Sequence, residues 1–206
     1  MMKLFYSPRS CSMASHIALE EAGADYEAVR MNLAAGEQRR PEYMAVNPKG
    51  RVPALATERG VVTETPAILA FIAQTHPAAG LAPLDDPFAF AELQSFNAYI
   101  CSTVHPAYAH SLRGSRWADE ESSIADMKRR APRNLAAEFE LIETTMFRGP
   151  WVMGAAYTVA DPYLFTLASW LGGVGVDLGD YPKLSAHFER MNARPAVSKV
   201  VALHSA

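Results

Sequence analysis

Apolar and polar positions along the chain change rhythm near residue 80. Before that point short strand-like runs alternate with helical spacing. Leu4, Phe5 and Tyr6 form a brief apolar run, Ser7, Pro8, Arg9 and Ser10 break it, and from Cys11 the period turns helical. Met13, Ala14, Ile17 and Ala18 then share one face, Glu20 and Glu21 the other, and Gly23 supplies a stop. This places Cys11 and Ser12 in the first helical turn. Val29, Met31 and Leu33 alternate with polar or small residues as a second strand, which predicts a parallel βαβ unit.

After a small polar loop from Ala34 to Arg40, Pro41 opens a short helix, and Asn47 to Leu55 is dense in turn residues. Ala54–Thr57 and Val61–Thr63 read as a hairpin. Thr65 is placed to cap the next helix, with Pro66 at its first position. His76 to Pro87 has three prolines, one glycine and no period, the signature of a linker. Beyond it Leu93, Phe96, Ile100, Val104 and Tyr108 recur at helical spacing, as do Ile124, Met127, Ala131, Leu135, Phe139, Ile142 and Met146. Thr158-Val-Ala-Asp161 has the form of a capping box ahead of a helix apolar nearly all round, and two shorter helices, about 182–192 and 195–203, follow.

The reading is an α/β unit at residues 1–78, a linker at 79–87 and an all-helical unit at 88–206. Composition narrows the function classes. A net charge of −3 argues against a nucleic-acid partner, and Lys128, Arg129, Arg130 and Arg133 read as a solvated helix face. No apolar run approaches the ~20 residues a bilayer span requires, so no membrane partner is expected. Two cysteines without metal-type spacing suggest a reducing compartment and no metal, and the N-terminus enters a strand pattern directly, so the expected location is cytoplasmic. The candidate chemistry lies at Cys11. A helix N-terminus stabilises a thiolate, its own or another held in the cleft, whereas a buried free cysteine is also a common packing residue.

FYSPRSCSMASHIALEEAG at 5–23, NPKGRVPAL at 47–55, the Thr63-Glu64-Thr65 junction, Asn97 to His105 and YTVADPYLF at 157–165 together resemble the cytosolic glutathione transferases, most closely the bacterial beta class. The resemblance covers nearly the whole chain. It implies a thioredoxin-like N-terminal domain that binds glutathione as co-substrate, with no permanently bound cofactor. It also implies a helical domain that supplies the pocket for a small apolar electrophile, a homodimer, and a role in detoxification. By the same resemblance Val52-Pro53 is a cis bond presenting the Val52 backbone to glutathione, while Glu64 meets the γ-glutamyl ammonium and Thr65 its carboxylate. Cys11 and His105 lie beside the sulfur. Cys11, Ser12 and Tyr6 are separate candidates for activating it, in that order, although Tyr6 also suits a packing role. Tyr108 and Trp117 are candidates for the electrophile pocket.

The pattern departs from the family in three places: the expected Asn falls at Ala98 with Asn97 one position away, a Lys after the His is Pro106, and a Lys after the second strand has no counterpart. Arg39, Lys49 or Arg51 is left to hold the glycyl carboxylate. The leading expectation is conjugation of glutathione to an electrophile. One alternative is a glutathione-dependent disulfide or peroxide reductase with Cys11 as redox nucleophile. Another is a non-catalytic binding protein on the same fold.

Overall fold

The computed structural model describes residues 1–205. Four strands, β1 (Met2–Tyr6), β2 (Tyr26–Arg30), β3 (Ala54–Thr57) and β4 (Gly60–Thr63), form one mixed sheet in the order β2-β1-β3-β4. β1 runs parallel to β2, pairing Phe5 with Val29, and antiparallel to β3, pairing Leu4 with Leu55. The expected βαβ unit is therefore present, but its second strand lies earlier than the Val29-Met31-Leu33 alternation suggested. Met31 is already past the last strand residue, although its amide still donates to the Tyr6 carbonyl.

The pleat sorts side chains by parity. Leu4 and Leu55 enter the main core with α1 (Ser12–Glu21) and, beyond the short α2 (Pro41–Val46), α3 (Thr65–Thr75). Phe5 and Ala54 face the other way, where Tyr43 of α2 and Met31 cover them. α1 is less amphipathic than its sequence implied. Every residue from Ser12 to Leu19 is buried, because the helix also packs against the helical domain. Only its last turn, Glu20 and Glu21, reaches solvent, and there Glu21 accepts two hydrogen bonds from Arg194 at 2.6 and 2.7 Å.

The helical domain contains α4 (Pro87–Tyr99), α5 (His105–Arg113), α6 (Glu121–Leu141), α7 (Ala160–Ala168), α8 (Pro182–Asn192) and α9 (Pro195–Ser205). A π turn, Ile100–Val104, carries α4 into α5. Pro106 lies two residues past it, and a proline that lacks its N–H and crowds the preceding turn accounts for the wider hydrogen-bonding there. One continuous core crosses the chain, from Leu4 and Leu55 through Ile68 and Ile72 to Phe96, Tyr108, Phe139 and Tyr163.

The capping box forms with one change. The Asp161 carboxylate accepts from the Thr158 amide at 2.7 Å as expected, but the Thr158 hydroxyl accepts from the Ala160 amide at 3.3 Å, one position short of the N3 amide. Asp161 has further work, accepting from the Val152 amide at 2.8 Å and from His187 Nε2 at 3.0 Å. A fully buried carboxylate is tolerable only with such a set of donors.

Candidate active site

A cleft of about 980 Å³ opens between the sheet domain and the helical domain. Its first wall is the loop after β1. Ser10 Oγ donates to the Ser7 carbonyl at 2.8 Å, and Ser12 Oγ accepts from the Ser7 amide at 3.1 Å, so this turn is closed by its own hydroxyls. Cys11 is the residue that caps α1, immediately before its first turn instead of within it. Its thiol donates to the Val52 carbonyl at 3.6 Å.

Val52 itself is presented by a rigid turn. The Val52-Pro53 bond is cis, as the resemblance implied. Just before it, Tyr43 Oη and Asn47 Nδ2 both donate to the Arg51 carbonyl, at 2.6 and 2.7 Å. Gly50 has a positive φ of 59°, and a Cβ there would lie 3.1 Å from the Gln38 carbonyl oxygen, so the turn closes only around glycine.

The third element is the β4–α3 junction. Glu64, not Thr65, occupies the capping position, with φ at 72°, a conformation that costs a non-glycine residue about 1–3 kcal/mol. Thr65 is the first helical residue and Pro66 the second, one step later than expected. The Glu64 carboxylate is held by Lys49 Nζ at 2.6 Å, and the same ammonium donates to Thr63 Oγ1 at 2.8 Å.

The helical wall is one face of the α4–α5 rod. Cys101, His105, Tyr108 and Leu112 recur every three or four residues and line the cleft together. Burial, aided by Arg113, Arg116 and Arg51, lowers the His105 pKa to about 4, so its imidazole is neutral at pH 7. The ring packs on Trp170 at 5.5 Å between centroids. Tyr108 is buried, with its hydroxyl donating to the Leu167 carbonyl at 2.8 Å, so it offers the cleft ring surface and not a free hydroxyl. Trp117 is half exposed at the rim.

Of the residues singled out in the sequence, Cys11, Arg51, Val52, Pro53, Glu64, Thr65, His105, Tyr108 and Trp117 line this one cleft. Ser12 and Tyr6 do not. Ser12 has no exposed surface, and its hydroxyl is consumed within the loop by Ser7 and Ser10. Tyr6 is buried between the rings of His16 and His204, each 4.9 Å away, and is a packing residue. The expectation of a low-pKa thiol at Cys11 is also corrected. Burial outweighs the Thr65 hydroxyl, the backbone amide of Cys11 itself and the Arg113 charge and pushes the thiol up to about 11. Lys49, one of three cations considered for a glycyl carboxylate, is occupied by Glu64, whereas Arg39 and Arg51 both line the cleft.

Sequence reasoning missed Arg9, Cys101, Arg113, Arg116 and Trp170, all of which line the same space. A helical projection from His105 would have found one of this set, since Cys101 precedes it by four residues. Among the described residues no group of three metal-ligating side chains forms, and no helix is long and apolar enough to cross a membrane.

Comparison with known proteins identifies both domains. Residues 1–74 match the family model for the glutathione S-transferase N-terminal domain, and residues 97–195 that for the C-terminal domain. Glutathione S-transferase GstA of Escherichia coli O157:H7 is 32% identical over 199 residues, 95% of each chain. A crystal structure of a glutathione transferase homolog from Sulfitobacter, with bound glutathione, superposes with a TM-score of 0.95 at 45% identity, covering 98% of each chain. A bacterial beta class enzyme from Sphingomonas chungbukensis superposes with a TM-score of 0.86 at 33% identity over 98% of each chain. The two domain matches lie on either side of the cleft and the relatives cover nearly the whole chain, so the chain belongs to the glutathione S-transferase family.

Proposed function

We propose that this transferase binds glutathione along the wall formed by Cys11, Val52-Pro53 and Glu64-Thr65, and conjugates its sulfur to the electrophilic carbon of a co-substrate with an apolar body. The observation that carries this reading is that the Cys11 thiol, the Val52 backbone and the Glu64-Thr65 turn open on one cleft. The Val52 backbone offers strand-like pairing to the cysteinyl unit. Glu64 suits the γ-glutamyl ammonium, and the α3 terminus at Thr65 suits the adjacent carboxylate. Arg39 or Arg51 takes the glycyl carboxylate.

The chemistry then follows from the Cys11 protonation state. With its pKa near 11, Cys11 keeps its proton at pH 7 and is a donor, able to hydrogen-bond the glutathione thiolate and stabilise its charge. The thiol proton of glutathione leaves to solvent. A carbon–sulfur bond forms, and the bond to the leaving group breaks with its electron pair. His105, neutral and packed on Trp170, borders the sulfur as an uncharged wall. The reductase alternative asks Cys11 to be a thiolate, and its burial opposes that. The binding-protein alternative is opposed by the completeness of the anchoring set.

A homodimer is supported by Phe88, 75% exposed at the start of α4, and by Val61, 42% exposed on β4. A cytoplasmic role in clearing electrophiles is supported by two unpaired cysteines, as suits a reducing compartment. The test is a substrate panel of aryl halide, hydroperoxide and glutathione mixed disulfide, run on the wild type and on Cys11→Ala. Conjugation of the aryl halide that survives in Cys11→Ala at a reduced rate supports the reading. Activity confined to the disulfide, and abolished in Cys11→Ala, overturns it in favour of reduction.

A further inference from the structure

The positive charge of the cleft exceeds what glutathione needs. Five arginines line it, Arg9, Arg39, Arg51, Arg113 and Arg116, against a single carboxylate, Glu64. Glu64 is already matched by Lys49. Among the described residues none of the five guanidiniums forms an ion pair within the chain. Four of them are close enough to interact. After burial itself, the fields of Arg113, Arg51 and Arg39 push the Arg116 guanidinium below its usual range. Like charges gathered in a concave, partly desolvated site concentrate anions there.

Bound as thiolate, glutathione brings two carboxylates and a sulfur charge against one ammonium. In the binding mode above, its γ-glutamyl end is served by Glu64 and the α3 terminus, and its glycyl carboxylate by Arg39 or Arg51. Arg9, one of Arg39 and Arg51, and the pair Arg113 and Arg116 are left over, and of these only the last two belong to the helical wall. That pair stands where α5 ends, beside the exposed apolar side chains of Leu112 and Trp117. An apolar surface flanked by two unpaired guanidiniums fits a ring compound that carries a carboxylate, which arginine recognises in a two-pronged geometry.

We propose that Arg113 and Arg116 form an anion subsite for the co-substrate, so that the enzyme prefers apolar electrophiles bearing a carboxylate over neutral ones. This rests on the conjugation reading and refines its substrate class. The experiment compares chlorodinitrobenzene with its ring-carboxylate analogue, chlorodinitrobenzoate, as co-substrates of the wild type, Arg113→Gln, Arg116→Gln and the double variant. The expected result is a kcat/KM for the carboxylate at least about tenfold above that for the neutral compound, with the ratio collapsing toward unity in the double variant, a change of about 1.4 kcal/mol. Added salt should erode the same ratio in the wild type.

A wild-type ratio at or below unity, or one that the double variant leaves in place, overturns the subsite while conjugation itself stands. If neither compound is conjugated, the conjugation reading fails. Calorimetric titration of unreactive dinitrobenzoate into protein saturated with S-methylglutathione then decides the subsite independently. Binding that weakens about tenfold in the double variant supports it, and equal binding overturns it.

Discussion

Cys11 and Val52, forty-one residues apart, face one another across the floor of the cleft, with the thiol sulfur 3.6 Å from the carbonyl oxygen. The contact joins the start of the first helix to the turn before β3. Burial of the thiol at this point raises its pKa, so it resists ionisation.

The first prediction concerns this thiol. With a pKa raised to about 11, Cys11 in the ligand-free protein has little thiolate at pH 7 and gains it only as the pH rises. Its alkylation by iodoacetamide, followed by mass spectrometry of the Cys11 peptide, should be slow at pH 7 and rise steadily through pH 10. Rapid modification at neutral pH would show a stabilised thiolate and would restore the redox alternative.

Glu64 combines a functional carboxylate with a strained backbone. Replacing it by glycine removes a positive-φ cost of about 1–3 kcal/mol while deleting the anion that meets the γ-glutamyl ammonium. Glu64→Gly should therefore keep or raise the melting temperature yet raise the KM for glutathione at least about tenfold, the loss expected for a charge-assisted contact. A variant that melts lower would mean that the Lys49 pair outweighs the strain.

Asp161 predicts the opposite pattern, stability without a direct role in binding. Asp161→Ala strands two buried amides and His187 Nε2 and should destabilise the protein by about 3–5 kcal/mol, read by urea denaturation. Glutathione KM, corrected for the folded fraction, should stay within about twofold of the wild type, a margin inside the usual effect of a remote change.

Three histidines govern the acid limit. Burial lowers His16 and His105 to about 4, and burial together with the neighbouring His16 does the same for His204. Each binds a proton more readily in the unfolded chain, whose pKa is near 6.5, so the stability they preserve above pH 6.5 is lost as the pH falls toward 4. Glu138, raised by burial to about 7, works the other way over an overlapping range, losing stability as the pH rises past its unfolded value of 4.5. Three groups against one leave a net decline on acidification. Melting temperature should drop between pH 7 and pH 5, and His204→Gln should flatten the slope; a slope unchanged in that variant would remove the buried pair, His16 Nδ1 and His204 Nε2 at 3.1 Å, as its source.

Phe88 tests the assembly. Phe88→Asp places a charge on the apolar start of α4 and should convert a dimer to a monomer in light scattering without loss of helical content. A monomeric wild type would dispose of the dimer.

Much of the architecture was legible because it rests on local signals. The Ser7-Pro8-Arg9-Ser10 break, the Pro53 turn, Pro66 and the Thr158-Asp161 box punctuate the chain at or within a residue of where its elements change. Errors arose where packing overrides local period. The β2 alternation continues past the paired residues because Met31 and Leu33 are drawn into the small core around Tyr43. α1 looked amphipathic, yet lies between two domains. Ser12 looked like a sulfur ligand from its position in the chain, and only the closed loop reveals that its hydroxyl is spent on Ser7 and Ser10.

The amino-acid order by itself determined the mixed α/β then all-helical plan and singled out Cys11, because turn residues and helical period are properties of neighbours in the chain, while Val52-Pro53, Glu64-Thr65 and His105 were named through the resemblance to a known family. The tertiary structure decided the protonation of Cys11 and His105, the retreat of Ser12 and Tyr6 from the site, and the gathering of five arginines in one cleft. Solvent exclusion and the summed field of distant charges belong to atoms that only folding brings together.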